Sequence, residues 1–252
     1  MAAQIGIGAD IIMAFDECTE YPAERSRAEK SMEMTLRWAE RSKKAFDAHK
    51  HEVPWFGDRQ EQTQALFGIV QGGMYADLRK VSAERTVEID FPGYALGGFS
   101  VGEPREQTAE LVAETLPLLP ENKPRYLMGV GYPEEIVQYA RMGVDMMDCV
   151  LPTRAARHGL LFTSEGKITI KNQRFASDEG PLDPNCSCKV CARYSRAYLR
   201  HLYASGEVLA QVLNTVHNLA YYFDTMKRVR QSIILGENSV SPVVRSPHLS
   251  AT

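Results

Sequence analysis

Near-continuous apolar runs alternate, through the first part of the chain, with longer stretches in which apolar residues recur every three or four positions. The runs are Ala9–Asp16 (ADIIMAFD), Leu66–Gln71 (LFGIVQ), Gly93–Gly98 (GYALGG), Arg125–Val130 (RYLMGV) and Val144–Leu151. Each ends in carboxylate, amide, glycine or proline residues. Between them, Ala23–His49 carries Met32, Leu36, Trp38, Ala45 and Phe46 at helical spacing, and Ala76–Ile89, Glu106–Leu118 and Pro133–Met142 show the same period. Pro133 stands at a first helical position with acids in the first turn. His49–Gln60, with Pro54 and Gly57, reads as a loop. Buried strands alternating with amphipathic helices predict an α/β fold with a parallel sheet.

The polar and glycine residues fall at the carboxyl ends of the strands: Asp16, Gln71, Gly97–Gly98, Met128–Gly129 and Asp148. That edge carries the active site of (β/α)8 barrels and the ligands of doubly wound sheets. Five βα units are too few to close an eight-stranded barrel, so a partial barrel or an open sheet is expected. The opening MAAQIGIGADIIMAFDE has no basic region before its apolar run and reads as a folded strand, not a leader.

After Arg157 the pattern changes. Leu160–Ile170 alternates about Ser164-Glu165-Gly166 and predicts a β-hairpin. A cysteine cluster follows, then a helix through Tyr194–Ala204 and a longer one from about Glu207 to Ser232. From Leu235 onward periodicity is lost. The expected division is a partial barrel over 1–158, a metal-binding subdomain over 159–234 and a disordered tail over 235–252.

Composition narrows this little. The 252 residues are 44% hydrophobic and 24% charged with net charge −3, ordinary globular values, so any nucleic-acid contact must use a local basic patch. No run approaches the length of a membrane span. The five cysteines are Cys18, Cys149 and the cluster Cys186, Cys188, Cys191, a usage that favours a metal site and a reducing compartment, with cytoplasm as the default.

Two stretches carry candidate chemistry. In Met146–Arg157 (MMDCVLPTRAAR), Asp148 closes an apolar run and Arg154, Arg157 and His158 form a modest basic loop. This is either a strand-terminating carboxylate before a solvated loop, or a nucleophile beside an anionic polymer. The second is CxCxxC at Cys186, Cys188 and Cys191 with His217 on the long helix. Three thiolates and an imidazole fill a tetrahedral structural zinc site and leave no open position for catalysis. His158 and His201 are alternatives for the fourth ligand.

The ordered motifs FDECTEYP, GIVQGG, ALGGFSVGEP, YLMGVGYPEE, DCVLPTR and CxCxxC with its distant histidine resemble bacterial tRNA-guanine transglycosylases, from Ile5 to about Ser232. The resemblance implies a (β/α)8 barrel with a C-terminal zinc subdomain. The implied activity is exchange of the wobble guanine of tRNAs with GUN anticodons for preQ1, in queuosine biosynthesis. It makes Asp148 the nucleophile that forms a covalent ribosyl-aspartate. Asp16, Gln71 and Gly98 would read the purine edge, and Met128 would pack on its face. Gly129, Val130, Gly131, Tyr132, Pro133, Glu134 and Glu135, with Thr153, Arg154, Ala155, Ala156 and Arg157, match RNA-contacting stretches. Cys18 and Val101 match the bacterial pocket and favour preQ1 over queuine. Zinc on Cys186, Cys188, Cys191 and His217 is implied, and a homodimer is expected because family members commonly pair. The family's TDSGGFQ-type motif, with its acid/base aspartate, and the first barrel strands have no counterpart here. The expectation is therefore a fragment of the enzyme, with a non-catalytic tRNA-binding or partner subunit, or a zinc-stabilised sugar- or base-binding α/β domain, as competing readings.

Overall fold

The computed structural model describes residues 1–50 and 64–236. Most of the loop expected over His49–Gln60, and nearly all of the expected tail, lie outside the described residues. The chain divides into two compact units, Met1–Val130 with Tyr139–Asp148, and Gly131–Gln138 with the chain from Cys149 onward.

The first unit is built on a parallel sheet of β1 (Ile11–Met13), β2 (Ala65–Val70), β3 (Gly93–Leu96), β4 (Arg125–Leu127) and β5 (Met146–Met147). The strand order is β1-β2-β3-β4-β5, with register pairs such as Phe67↔Gly93 and Tyr126↔Met146. A doubly wound sheet reverses its order at a switch point. Strict sequential order is instead the arc of a (β/α)8 barrel, so the expected partial barrel is what forms. β2 and β3 are buried on both faces, which is why their sequences run apolar without alternation.

Helices α1 (Ala2–Ile7), α2 (Arg25–His49), α3 (Ala76–Glu88), α4 (Arg105–Thr115) and α5 (Pro133–Met142) connect the strands. α2 buries Ala28, Met32, Thr35, Leu36, Ala39 and Phe46, a stripe at three- and four-residue spacing, and it packs with α3 on β2. Burial of each large side chain in such a stripe stabilises by about 1.5–3 kcal/mol. The N-terminal residues are not strand, as expected, but a short helix closed by Gly8 at φ 76°. α1 brings Gln4 beside β1. The Gln4 amide donates to the Met13 carbonyl at 2.9 Å and accepts from the Met13 N–H at 3.1 Å.

The second unit holds α6 (Leu151–Arg157), the hairpin β6 (Leu160–Thr163) and β7 (Gly166–Thr169), α7 (Arg196–Ala204) and α8 (Val208–Leu235). The stretch read as a basic loop is α6, with Pro152 in its first turn where no N–H is needed. A small core of Leu161, Ile168, Ile170, Phe175, Leu182, Val190 and Leu199 lies behind the hairpin. One face of α8 presents Asn214, His217, Asn218 and Tyr222, all buried. Asn218 donates to the carbonyls of Pro152 (3.0 Å) and Leu160 (3.1 Å) and accepts from the Phe162 N–H (3.1 Å). Asn214 donates to the Ala156 carbonyl at 3.4 Å and Tyr222 to the Gly131 carbonyl at 2.9 Å. Removing Asn218 leaves these buried groups unpaired. Asn218→Ala should therefore destabilise by about 3 kcal/mol in urea unfolding, against less than about 0.5 kcal/mol for the exposed Asn122→Ala.

No helix among the described residues is long and apolar enough to cross a membrane.

Candidate functional site

Parallel strands place the residue after each strand on one edge, and here that edge is polar. Asp16 lies just past β1, Gln71 directly follows β2, and Gly97–Gly98 follow β3. Met128 and Gly129 follow β4, and Asp148 follows β5. Gln71 is 2% exposed, and its amide donates to Asp16 Oδ2 at 2.7 Å, so two of the expected recognition groups are already joined. Its backbone N–H is held by Ser82 Oγ at 3.1 Å. Gln71 Oε1 is buried without a hydrogen-bond partner. Gly98, at φ +74°, must be glycine: a Cβ there would stand 2.4 Å from Gln71 Oε1. Beside these residues a cleft of about 200 Å³ is bounded by Thr19, Tyr21, Gly73, Gly98 and Val101. The Cys18 thiol is pushed up by burial and by the Asp16 carboxylate.

Asp148 is exposed, and its carboxylate is fixed by two donors on one oxygen. The Tyr126 hydroxyl donates to Oδ1 at 2.6 Å and the Gly129 N–H at 2.9 Å. Among the described residues Oδ2 accepts no hydrogen bond and faces solvent chemistry unencumbered. Burial, and then the bond to Asp148, push the Tyr126 phenol well above its usual range, so it stays a protonated donor. Tyr126 was not a sequence candidate. Its signal is register: it pairs with Met146, and a phenol reaches the roughly 6.6 Å that two strand residues span to Asp148.

The residues matched to RNA contacts divide by exposure. Gly129, Glu134, Arg154 and Arg157 are exposed, and Tyr132 and Thr153 half-buried. Val130, Gly131, Pro133, Glu135, Ala155 and Ala156 are buried. Glu135 accepts from the Tyr132 N–H at 2.8 Å and so organises the start of α5. Gly131 has no room for a side chain, since a Cβ would meet Cys149 Sγ at 2.6 Å, and Cys149 donates to its carbonyl at 3.3 Å.

In the second unit the ligand atoms of Cys186, Cys188, Cys191 and His217 all lie within 4.8 Å of one another. His217 Nδ1 stands 3.7 Å from Cys188 Sγ and 3.3 Å from Cys191 Sγ. Tetrahedral zinc with Zn–S of about 2.3 Å and Zn–N of about 2.0 Å sets that separation at about 3.5 Å. His217 Nε2 lies 2.9 Å from the Phe162 carbonyl, which fixes the proton on Nε2 and leaves Nδ1 to ligate. The Cys191 N–H reaches Cys188 Sγ at 3.5 Å. Hydrogen bonds from Cys186 and Cys191 hold the Cys188 thiol well below the ordinary thiol range, and those with Cys186 and Cys188 push the Cys191 thiol up. The donor set therefore fits a structural zinc ion, with His217 rather than His158 or His201 completing it.

The family model described as "Queuine tRNA-ribosyltransferase" matches residues 1–240. Among curated relatives, a queuine tRNA-ribosyltransferase of Koribacter versatilis (strain Ellin345) is 87% identical over 100% of this chain and 66% of its own length. One of Acetivibrio thermocellus is 54% identical over 92% of this chain and 59% of its own. One of Actinobacillus pleuropneumoniae serotype 3 is 52% identical over 92% and 58%. The chain thus spans about three fifths to two thirds of the curated relatives it matches. With a sequential parallel sheet, a polar carboxyl edge and a Cys3His group able to hold a metal ion in agreement with that match, the chain belongs to the queuine tRNA-ribosyltransferase family.

Proposed function

We propose that this chain carries the base-reading edge and the nucleophile of a tRNA-guanine transglycosylase. The observation that supports it best is the immobilised, exposed carboxylate of Asp148 on the same strand edge as the Asp16–Gln71–Gly98 group. Asp16 accepts from N1–H and the exocyclic amine of the purine, while the Gln71 amide and the Gly98 N–H donate to its carbonyl oxygen. Met128 packs on the base face.

Asp148 Oδ2 attacks C1′ of the wobble nucleotide as the bond to guanine breaks, leaving a ribosyl ester on the carboxylate. Guanine departs with the bonding electron pair and takes up a proton at N9; the incoming 7-deazaguanine loses its N9 proton as it displaces the carboxylate from C1′. Two displacements give overall retention and replace one difficult exchange by two easier ones. The wobble base has to leave the anticodon stack to reach this edge. Arg154 and Arg157 hold the RNA backbone and the exposed part of Gly129–Glu135 touches the RNA, a local contact compatible with the net charge of −3. Cys18, Val101 and the narrow cleft beside Gly98 suit the small aminomethyl group of preQ1 better than the larger substituent of queuine. Zinc supplies structure to the second unit, not chemistry. The tRNAs are those with GUN anticodons, and pairing of two copies is part of this reading.

Labelled guanine should enter a tRNA with a GUN anticodon and not the same tRNA with adenosine at the wobble position. A chain that binds the tRNA tightly but never exchanges guanine or traps an RNA adduct is a tRNA-binding subunit instead.

A further inference from the structure

Arg79 is the largest fully buried side chain of the first unit, 0% exposed in the first turn of α3. Among the described residues no carboxylate forms an ion pair with it, although Glu103 and the Cys18 thiol lie near enough to act on its charge. Burial pushes its guanidinium down to about 9, which still leaves a cation at neutral pH. A buried cation without a paired anion is costly, and this one also keeps Nη1 without a hydrogen-bond partner. Its other nitrogens are spent on backbone alone. Nε donates to the Gly73 carbonyl at 2.7 Å, and Nη2 donates to the carbonyls of Gly97 at 3.0 Å and Gly98 at 3.4 Å. The Phe99 ring lies under the guanidinium at 3.7 Å.

The Gly97 carbonyl and the Gly98 N–H belong to one peptide unit, and in a trans peptide they point in opposite directions. A guanidinium gripping the Gly97 oxygen therefore aims the Gly98 N–H away from itself. On that opposite side the Gly98 backbone lies close enough to the Cys18 thiol to pull it down against the effect of its burial. Donation into the carbonyl also polarises the N–H, because hydrogen bonds in series strengthen one another.

We propose that Arg79 is a positioning residue that sets the direction and donor strength of the Gly98 N–H, and thereby makes the site specific for a purine bearing a carbonyl at C6. This rests on the base-reading role proposed for Gly98. The fork matters as well as the charge: Nε holds the Gly73 corner while Nη2 holds the Gly97–Gly98 corner, which one ammonium group cannot do with the same geometry. The negative charge that builds on the purine as its bond to C1′ breaks would meet a donor already backed by a cation.

The test is calorimetric binding of three free bases to the full chain. Guanine has both the carbonyl and the amine, 2-aminopurine lacks the carbonyl and with it the N1–H, and hypoxanthine lacks the amine. In the wild type guanine should bind more tightly than either. Arg79→Met should shrink the preference for guanine over 2-aminopurine by about tenfold and leave the preference over hypoxanthine within about twofold. Arg79→Lys should fall between. Asp16→Asn should instead shrink both preferences, because it reads the N1–H that 2-aminopurine lacks and the amine that hypoxanthine lacks. Ratios of affinities within one preparation do not depend on the fraction folded, so partial misfolding does not blur the result. Arg79→Met with an unchanged guanine-to-2-aminopurine ratio, or with both preferences lost in proportion, overturns the proposal. A wild type that prefers guanine over neither analogue overturns the base-reading role itself, before any variant is considered.

Discussion

Replacing Asp148 with asparagine should lower guanine exchange by about 10⁴-fold or more while leaving tRNA affinity within about threefold. Asparagine is the informative choice because its carbonyl oxygen can still accept from the Tyr126 hydroxyl and the Gly129 N–H. The local geometry then survives and only the second, nucleophilic oxygen is lost. An amide nitrogen cannot attack C1′, so no ribosyl ester forms. On a denaturing gel the wild type incubated with tRNA should show a slowly migrating RNA-linked band that the variant lacks. Exchange retained within tenfold, or an adduct that persists in Asp148→Asn, would exclude this carboxylate as nucleophile and leave Asp16 as the other acid on the edge.

Removing the metal should have the largest effect on folding. The second unit has a small core of its own behind the hairpin. The four-ligand site ties the segment from Cys186 to Cys191 to α8 through His217. In small domains of this kind zinc binding supplies about 10 kcal/mol or more of folding free energy. A strong chelator should therefore reduce helical circular dichroism from α7 and α8 and release close to one zinc per chain. Cys188→Ser should behave as the chelated protein does. Stoichiometry near zero in freshly purified protein, or an unchanged melting curve for Cys188→Ser, would remove the metal from this account.

The parts of the molecule that were legible in the sequence are those governed by local pattern. The four longer helices of the first unit follow from apolar spacing, and the arc of strands follows from apolar runs ending in polar residues. The hairpin about Ser164-Glu165-Gly166 forms as its alternation predicts. Asp16, Gln71, Gly98 and Asp148 all fall on the strand edge because strand ends can be read without knowing the register. The failures have a different cause. α6 looked like a loop because seven residues are too few to show a period, and its backbone is held by Asn214 and Asn218 from α8, more than fifty residues later. Tyr126 depended on the pairing of β4 with β5. Arg79 read as an ordinary charged helix residue, since nothing in YADLRKV indicates that three loop carbonyls converge on it. In each case the missing information was which distant polar groups needed a partner.

The contact between Gln4 and Met13 has a bearing on solution behaviour. Along β1 the groups of Asp10 and Ala14 bond toward β2, through Ala65 N–H and the Phe67 carbonyl, so the peptide groups of Ile11 and Met13 point outward. Gln4 occupies both outward groups of Met13 with a side-chain amide that imitates a neighbouring strand. Among the described residues of β1 that leaves the peptide groups of Ile11 on this flank, a short template for ladder growth. A strand can still dock there, but it must first evict Gln4.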